Sequence, residues 1–178
     1  MHLTRQNLPE INSGIVELPG ADYFSLPEKV LQFGTGVLLR GLPDYFIDKA
    51  NKQGVFNGRI VVLKSTDAGE LDSFARQDGL YTHKLQGITD GSETSETVLN
   101  ACISRVLAAK NDWDEVLQLA RSADLQLIVS NTTEVGIALV EDSIHNTPPV
   151  SFPGKLLAFL YERYRHFNGD PAAGLMIV

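Results

Sequence analysis

The stretch Lys29-Val30-Leu31-Gln32-Phe33-Gly34-Thr35-Gly36-Val37-Leu38-Leu39-Arg40-Gly41 is a short apolar run that stops on a glycine, turns, and reopens as a helical pattern. A nearly unbroken apolar run of this length suits a strand buried on both faces, as in a parallel sheet. Gly34-Thr35-Gly36 turns the chain. Leu38, Leu39, Leu42, Tyr45, Phe46, Ile47 and Ala50 then recur at roughly helical spacing. Pro43 is tolerated only near a helix start, so regular helix is expected from about Leu42, with residues 37–41 as its loose first turn. Gly54 stands where a helix C-cap belongs.

Downstream, Ile60-Val61-Val62-Leu63 reads as a second buried strand ending in Lys64-Ser65-Thr66-Asp67-Ala68-Gly69. Together these segments make a β-α-β unit. A short helix is expected over 70–77. Leu80-Tyr81-Thr82-His83-Lys84-Leu85 alternates and reads as a strand. Residues 91–96 read as a polar loop, and Val98 to Leu107 fits strand or helix. Asp112, with Glu115 three residues later, looks like a capping box opening a helix whose stripe is Trp113, Val116, Leu117 and Ala120. Leu125 to Ser130 is another buried strand, ending in Asn131-Thr132-Thr133-Glu134-Val135-Gly136. Ser151 as cap and Pro153 in the first turn open a last helix with the stripe Leu156, Phe159, Leu160, Tyr164 and Phe167, closed by Asn168-Gly169. Another strand pattern opens at Gly174-Leu175-Met176-Ile177-Val178, where the sequence stops. That ending leads us to expect an N-terminal domain cut from a longer protein. Residues 1–27, with Pro9, Gly14, Pro19, Gly20 and Pro27, read as an irregular arm wrapped on the domain formed by 28–178. Strands alternating with helices imply an α/β domain with a mainly parallel sheet.

The 178 residues carry 15 Lys and Arg against 22 Asp and Glu, a formal net charge of −7. Such a balance argues against nucleic acid, whose binding depends on cationic side chains neutralising phosphates. At 43% apolar residues, long disorder is not expected. Cys102 is the single cysteine, which excludes an internal disulfide framework and fits a reducing, cytoplasmic compartment. No stretch approaches the ~18 apolar residues of a membrane span. His2, His83, His145 and His166 are scattered without metal-ligand spacing. Ser130 lacks the elbow sequence of a hydrolase nucleophile. Cys102 reads as a small buried apolar residue, and Arg163, Arg165 and His166 as a solvated helix face.

In parallel sheets ligands gather beyond the carboxyl ends of the strands. That rule selects Gly34–Gly41, Lys64–Asp67 and Ser130–Glu134. A pyrophosphate is well held where a glycine turn feeds a helix N-terminus, because free N–H groups and the helix dipole both favour anions. Gly34 would allow the turn and Gly36 the close approach of phosphate. Leu39 stands where the third glycine of G-x-G-x-x-G is usual, and the pattern alone also fits an ordinary strand-to-helix turn. Its place in the first β-α-β unit favours the dinucleotide reading. Arg40 could donate to phosphate. Asp67 is the acidic candidate for the ribose hydroxyls, later than the usual spacing. Lys64 and Thr66 compete at that corner, where a positive charge would also tolerate the 2′-phosphate of NADP; Asp67 favours NAD. Asn131, Thr132 and Thr133 could face the nicotinamide side. Glu134 could be a site residue or a surface charge.

Val30 to Gly41 resembles the opening of the long-chain polyol dehydrogenases, the mannitol dehydrogenase family, whose G-x-G-x-F-x-R-A has Leu38 for Phe and Gly41 for Ala here. Gln77 to Thr82 is similar to another family segment. Ser130 to Ile137, Phe152 to Leu156 and Glu162 to Gly169 resemble its tagaturonate-reducing branch. The resemblance runs from about residue 28 onward. It implies a Rossmann-like NAD-binding domain, with Val30, Leu31, Gln32, Phe33, Gly34, Thr35, Gly36, Val37, Leu38, Leu39, Arg40, Gly41, Asp67, Asn131 and Thr132 as the cofactor-binding set. It implies NAD-dependent interconversion of D-tagaturonate and D-altronate, with the sugar acid bound between this domain and a helical C-terminal one. The family's catalytic Lys, with its Asn and His helpers, belongs to that second domain, so no catalytic residue is assigned here. Fructuronate or mannitol remain alternative substrates, and a non-catalytic NAD-sensing module is the alternative of another class.

Overall fold

A computed structural model describes residues 3–64, 74 and 76–178. Its centre is a parallel sheet of five strands. These are β1 (Glu28–Phe33), β2 (Arg59–Lys64), β5 (Ile103–Ala108), β6 (Leu127–Ser130) and β7 (Met176–Ile177). Their spatial order is β5-β2-β1-β6-β7, and each neighbouring pair is parallel. β3 (Tyr81–Thr89) and β4 (Ser92–Asn100) form a separate antiparallel hairpin.

Alternation along β1 and β2 feeds two cores, one on each face of the sheet. Val30, Ile60 and Val62 point to one face, with Leu39, Cys102 and Ile103. Leu31, Phe33, Val61 and Leu63 point to the other, where Trp113, Val116 and Phe159 complete the larger core. Both strands are covered on both sides, which is why they read as continuous apolar runs. The helices over the first face are α1 (Val37–Gly41) and α2 (Pro43–Lys52). Over the second lie α3 (Trp113–Ala120) and α4 (Phe152–His166).

The residues before β1 contain two 3-10 turns, Arg5–Glu10 and Ala21–Ser25. Leu8, Val16 and Tyr23 bury themselves against Leu80, Leu99 and Ala101 at the base of the hairpin. The helix expected over 70–77 lies mostly outside the described residues.

Several expectations are corrected. Residues 37–52 form two helices broken at Leu42, whose φ of −120° and ψ of −77° interrupt the spiral before Pro43. Residues 92–96 are strand, not loop: Asp90 and Gly91 adopt φ of 52° and 79°, the two-residue turn that closes a hairpin. Asp112 caps α3 by position only, because its Oδ2 accepts from the Ala108 amide at 2.7 Å. Ser151 does cap α4, its Oγ accepting from the Gly154 amide at 3.0 Å. The buried face of α4 is Gly154, Lys155, Ala158, Phe159 and Arg163, which leaves Tyr164 65% exposed. Arg163 is therefore an interior residue, not part of a solvated face. Among the described residues no helix is long and apolar enough to cross a membrane.

Candidate functional site

Register decides which loops share one edge of the sheet. Phe33 of β1 pairs with Leu63 of β2 on one side and Ser130 of β6 on the other. The three strands thus end at one level, and the segments after Phe33, Lys64 and Ser130 leave from the same edge. From β1 the order runs to β2 and β5 one way and to β6 and β7 the other. The edge between β1 and β6 is the topological switch point, where open α/β sheets bind ligands.

Gly34 sits at that point with φ of +106°, a conformation L side chains rarely adopt, and its amide donates to the Leu63 carbonyl at 2.8 Å. Gly36 is the N-cap of α1, with φ of −61° and ψ of 154°. Among the described residues, a Cβ added at Gly36 would meet nothing within 4 Å, and the same holds at Gly41. The first-turn amides of a helix have no intrahelical acceptor, and α1 opens on an exposed glycine. Among the described residues, a Cβ at Gly34 would meet only Leu39 Cδ1 at 3.6 Å, an ordinary contact, so the turn leaves room for an anion such as a diphosphate. Val30, Leu31 and Phe33 are buried in the sheet and support the turn from below, as does Leu39 from α1. Thr35 is half-buried, while Val37 and Leu38 are 77% and 54% exposed.

Arg40 is half-buried, its guanidinium carbon 5.8 Å from the Phe74 ring centre. Lys64 ends β2 with its side chain largely buried. Asp67 and Thr66 lie outside the described residues. Across the switch point Asn131 is exposed, and the Thr132 hydroxyl lies 2.6 Å from that of Ser130. Thr133 precedes a 3-10 turn formed by Glu134–Ile137. Thr132 also lines a cleft of about 540 Å³ that reaches Val140, Phe152 and Lys155. Among the described residues no group of His, Cys, Asp and Glu could hold a metal ion.

Below the glycine turn the structure shows residues that the sequence reading passed over. The apolar spacing predicts that α2 buries Tyr45, Phe46 and Ile47. Instead Asp44, Asp48 and Asn51 face inward, while Leu42 and Phe46 are over half exposed. Asp44 and Asp48 are four residues apart and Asn51 three further on, so all three fall on one helix face. Asp48 accepts from the Tyr23 hydroxyl at 2.6 Å and the Ala101 amide at 2.9 Å, and pairs with Lys52 at 2.8 Å. Asn51 donates to the Gly58 carbonyl at 2.7 Å and accepts from the Gly58 amide at 3.0 Å. Asp44 Oδ2 accepts from the Tyr81 hydroxyl at 3.1 Å, while Oδ1 has no partner among the described residues.

Burial pushes the Asp44 carboxyl up to about 7, although the Tyr81 and Gln32 hydrogen bonds and the Arg40 charge pull the other way. Burial also raises the Tyr81 hydroxyl and the Cys102 thiol, and lowers His83. A carboxyl whose folded pKa exceeds its unfolded one binds its proton more tightly when folded, so stability is greatest below the unfolded pKa. Stability is then lost as pH rises from about 4 to about 7, with no further loss from this group above that. The shift corresponds to on the order of 4 kcal/mol. Urea melts of the wild type and Asp44→Asn, run at pH 4.5 and 8, check this. The variant should lose much less stability across the interval; parallel curves would show that Asp44 ionises freely.

A five-stranded parallel sheet in this order, with an open glycine turn at its switch point, is an α/β fold of the dinucleotide-binding type. The chain belongs to the mannitol dehydrogenase family, whose Rossmann-domain model matches residues 28–178. It is 42% identical over 157 residues to an altronate oxidoreductase of Bacillus subtilis, covering 88% of this chain and 33% of that protein. An altronate oxidoreductase of Halalkalibacterium halodurans is 43% identical over 155 residues, covering 86% of this chain and 30% of that protein. The chain thus spans about a third of the length of these curated relatives. The fold also matches Pseudomonas fluorescens mannitol 2-dehydrogenase, solved as a ternary complex with NAD and D-mannitol. The TM-score is 0.81 at 22% identity, over 99% of this chain and 38% of that one.

Proposed function

We propose that this chain is the NAD-binding part of an oxidoreductase that interconverts D-tagaturonate and D-altronate in the cytoplasm. The observation that carries the reading is the level of identity to proteins named altronate oxidoreductase, which reaches 43%. The open cradle at Gly34–Gly41 supports the cofactor assignment. In this proposal the amides of the turn and of the first turn of α1 hold the diphosphate, and Arg40 adds a positive charge. Asp67 holds the adenosine ribose hydroxyls. Asn131 and Thr132 bound the nicotinamide side, next to the cleft over Phe152. Bound NADH supplies the hydride; this chain's residues fix where it points. Val37, Leu38, Leu42 and Phe46, on and after the helix that follows the glycine turn, are exposed apolar side chains. We propose that further polypeptide, carrying the proton donor and most of the sugar-acid contacts, closes over them.

The test is a steady-state assay of the full-length protein with NADH and, separately, D-tagaturonate, D-fructuronate and D-fructose. Tagaturonate should give the highest kcat/KM, by at least about 100-fold. The 178-residue chain alone should bind NADH without turnover. A protein inert on tagaturonate and active on fructuronate or fructose would move the assignment to another branch of the family.

A further inference from the structure

The glycine turn is held from beneath at both ends by buried side chains. At its start the Gln32 amide, fully buried, donates to the Gly34 carbonyl at 3.3 Å. At its end the Tyr81 hydroxyl lies 3.2 Å from the Arg40 carbonyl and 3.1 Å from Asp44 Oδ2. Gln32 comes from β1 and Tyr81 from β3, so the two ends of the turn are tied to different parts of the sheet system.

We infer that Gln32 and Tyr81 are positioning residues for the dinucleotide turn, and that the Asp44 carboxyl supplies the second proton of the Tyr81 bridge. The inference rests on the cofactor reading above. The Arg40 carbonyl, the Tyr81 hydroxyl and Asp44 Oδ2 form a row of three oxygens with two gaps. Both gaps close only if two protons are present, and a neutral tyrosine brings one. With Asp44 ionised, that proton goes to the carboxylate, the stronger acceptor, and the Arg40 carbonyl is released. With Asp44 protonated, the carboxyl donates to Tyr81 and Tyr81 donates to Arg40, so the turn is fixed.

The groups facing Asp44 are Arg40 from α1, Asp48 one turn along α2, Gln32 from β1, Tyr81 from β3, and Cys102, whose thiol lies 3.4 Å from the Asp44 carbonyl. His83 stacks on Tyr81 with ring centres 4.9 Å apart, and burial and the Arg40 charge lower its pKa. Burial pushes the Asp44 carboxyl itself up to about 7, inside the interval tested.

The experiment measures NADH affinity by fluorescence titration between pH 6 and 8.5, for the wild type, Tyr81→Phe, Asp44→Asn and the control Gly36→Val. Wild-type affinity should weaken several-fold as pH rises through 7. Tyr81→Phe should bind about tenfold more weakly at pH 6 and show no such inflection. Asp44→Asn should bind more tightly than the wild type at pH 8.5, because its amide donates to Tyr81 at every pH. A purely structural role would lower the melting temperature of Tyr81→Phe and leave its affinity and pH profile like the wild type's. That result, with Gly36→Val abolishing binding, would overturn the positioning role of Tyr81 and Asp44 and spare the cofactor site. Wild-type binding that survives Gly36→Val, or no wild-type binding at all, would remove both.

Discussion

Gly36→Val is expected to fold as the wild type does and to lose NADH binding by at least about 100-fold. The two halves of this expectation come from different observations. Gly36 has φ of −61° and ψ of 154°, which any L residue adopts, and its added Cβ meets nothing within 4 Å among the described residues. The cost to folding is therefore confined to a poorer N-cap, about 1 kcal/mol, or ~2–4 °C for a chain of this size. In the proposed site, the space that a valine fills is the space that a diphosphate must enter to reach the amides of α1. Hydrogen bonds to a charged group contribute about 1.5–3 kcal/mol each, and losing two of them accounts for 100-fold or more. Gly34→Val should behave differently, since φ of +106° strains the backbone whatever the space. That variant should lose stability together with affinity. Calorimetry with NADH and a thermal melt on both variants separate the cases. Normal binding by Gly36→Val would place the cofactor elsewhere.

The elements legible in the sequence were those whose environment is uniform along the chain. β1, β2 and β6 are covered on both faces, so their apolar runs required no knowledge of partners. Ser151 and Pro153 are local signals for a helix start, and they mark one here. The elements misread are those whose burial is set by distant residues. α2 buries Asp44, Asp48 and Asn51 because Tyr23, Tyr81, Asn100 and the Ala101 amide supply their partners, 25 or more residues away. A periodicity of apolar residues selects the opposite face. The available signal was that the three polar positions themselves repeat at core spacing. The outer part of β4 is polar on both faces, so alternation was silent there, whereas Asp90-Gly91 was a usable hairpin signal. The glycine turn was legible because its requirements are local: a strand, a glycine with positive φ, and a helix start. Its supports, Gln32 and Tyr81, hold the turn through contacts made only after folding.

Arg163→Met should be among the most destabilising single changes on the second face of the sheet. Arg163 is 5% exposed, and its guanidinium is a hub of main-chain contacts. Nε donates to the Ala173 carbonyl at 2.6 Å, Nη1 to Ala120 and Ser122 at 2.9 and 2.8 Å, and Nη2 to Leu125 at 3.3 Å. Ala120 ends α3, where carbonyls lack intrahelical donors. Leu125 lies just before β6, and Ala173 just before β7. One side chain thus joins the end of a helix to the approaches of two neighbouring strands, and the Phe167 ring lies 4.7 Å from its charge. Methionine keeps much of the volume and satisfies none of the four carbonyls. At about 1 kcal/mol for each acceptor left without a donor, the loss is about 4 kcal/mol, or ~8–16 °C in melting temperature. Arg163→Lys keeps the charge, yet cannot span acceptors on several sides, and should fall between. Arg121→Met is the comparison. It removes an ion pair to Glu162 from a side chain that is 49% exposed, and such pairs contribute about 0–1 kcal/mol. Equal losses for Arg163→Met and Arg121→Met in a urea melt would mean that solvent, not the guanidinium, satisfies those carbonyls.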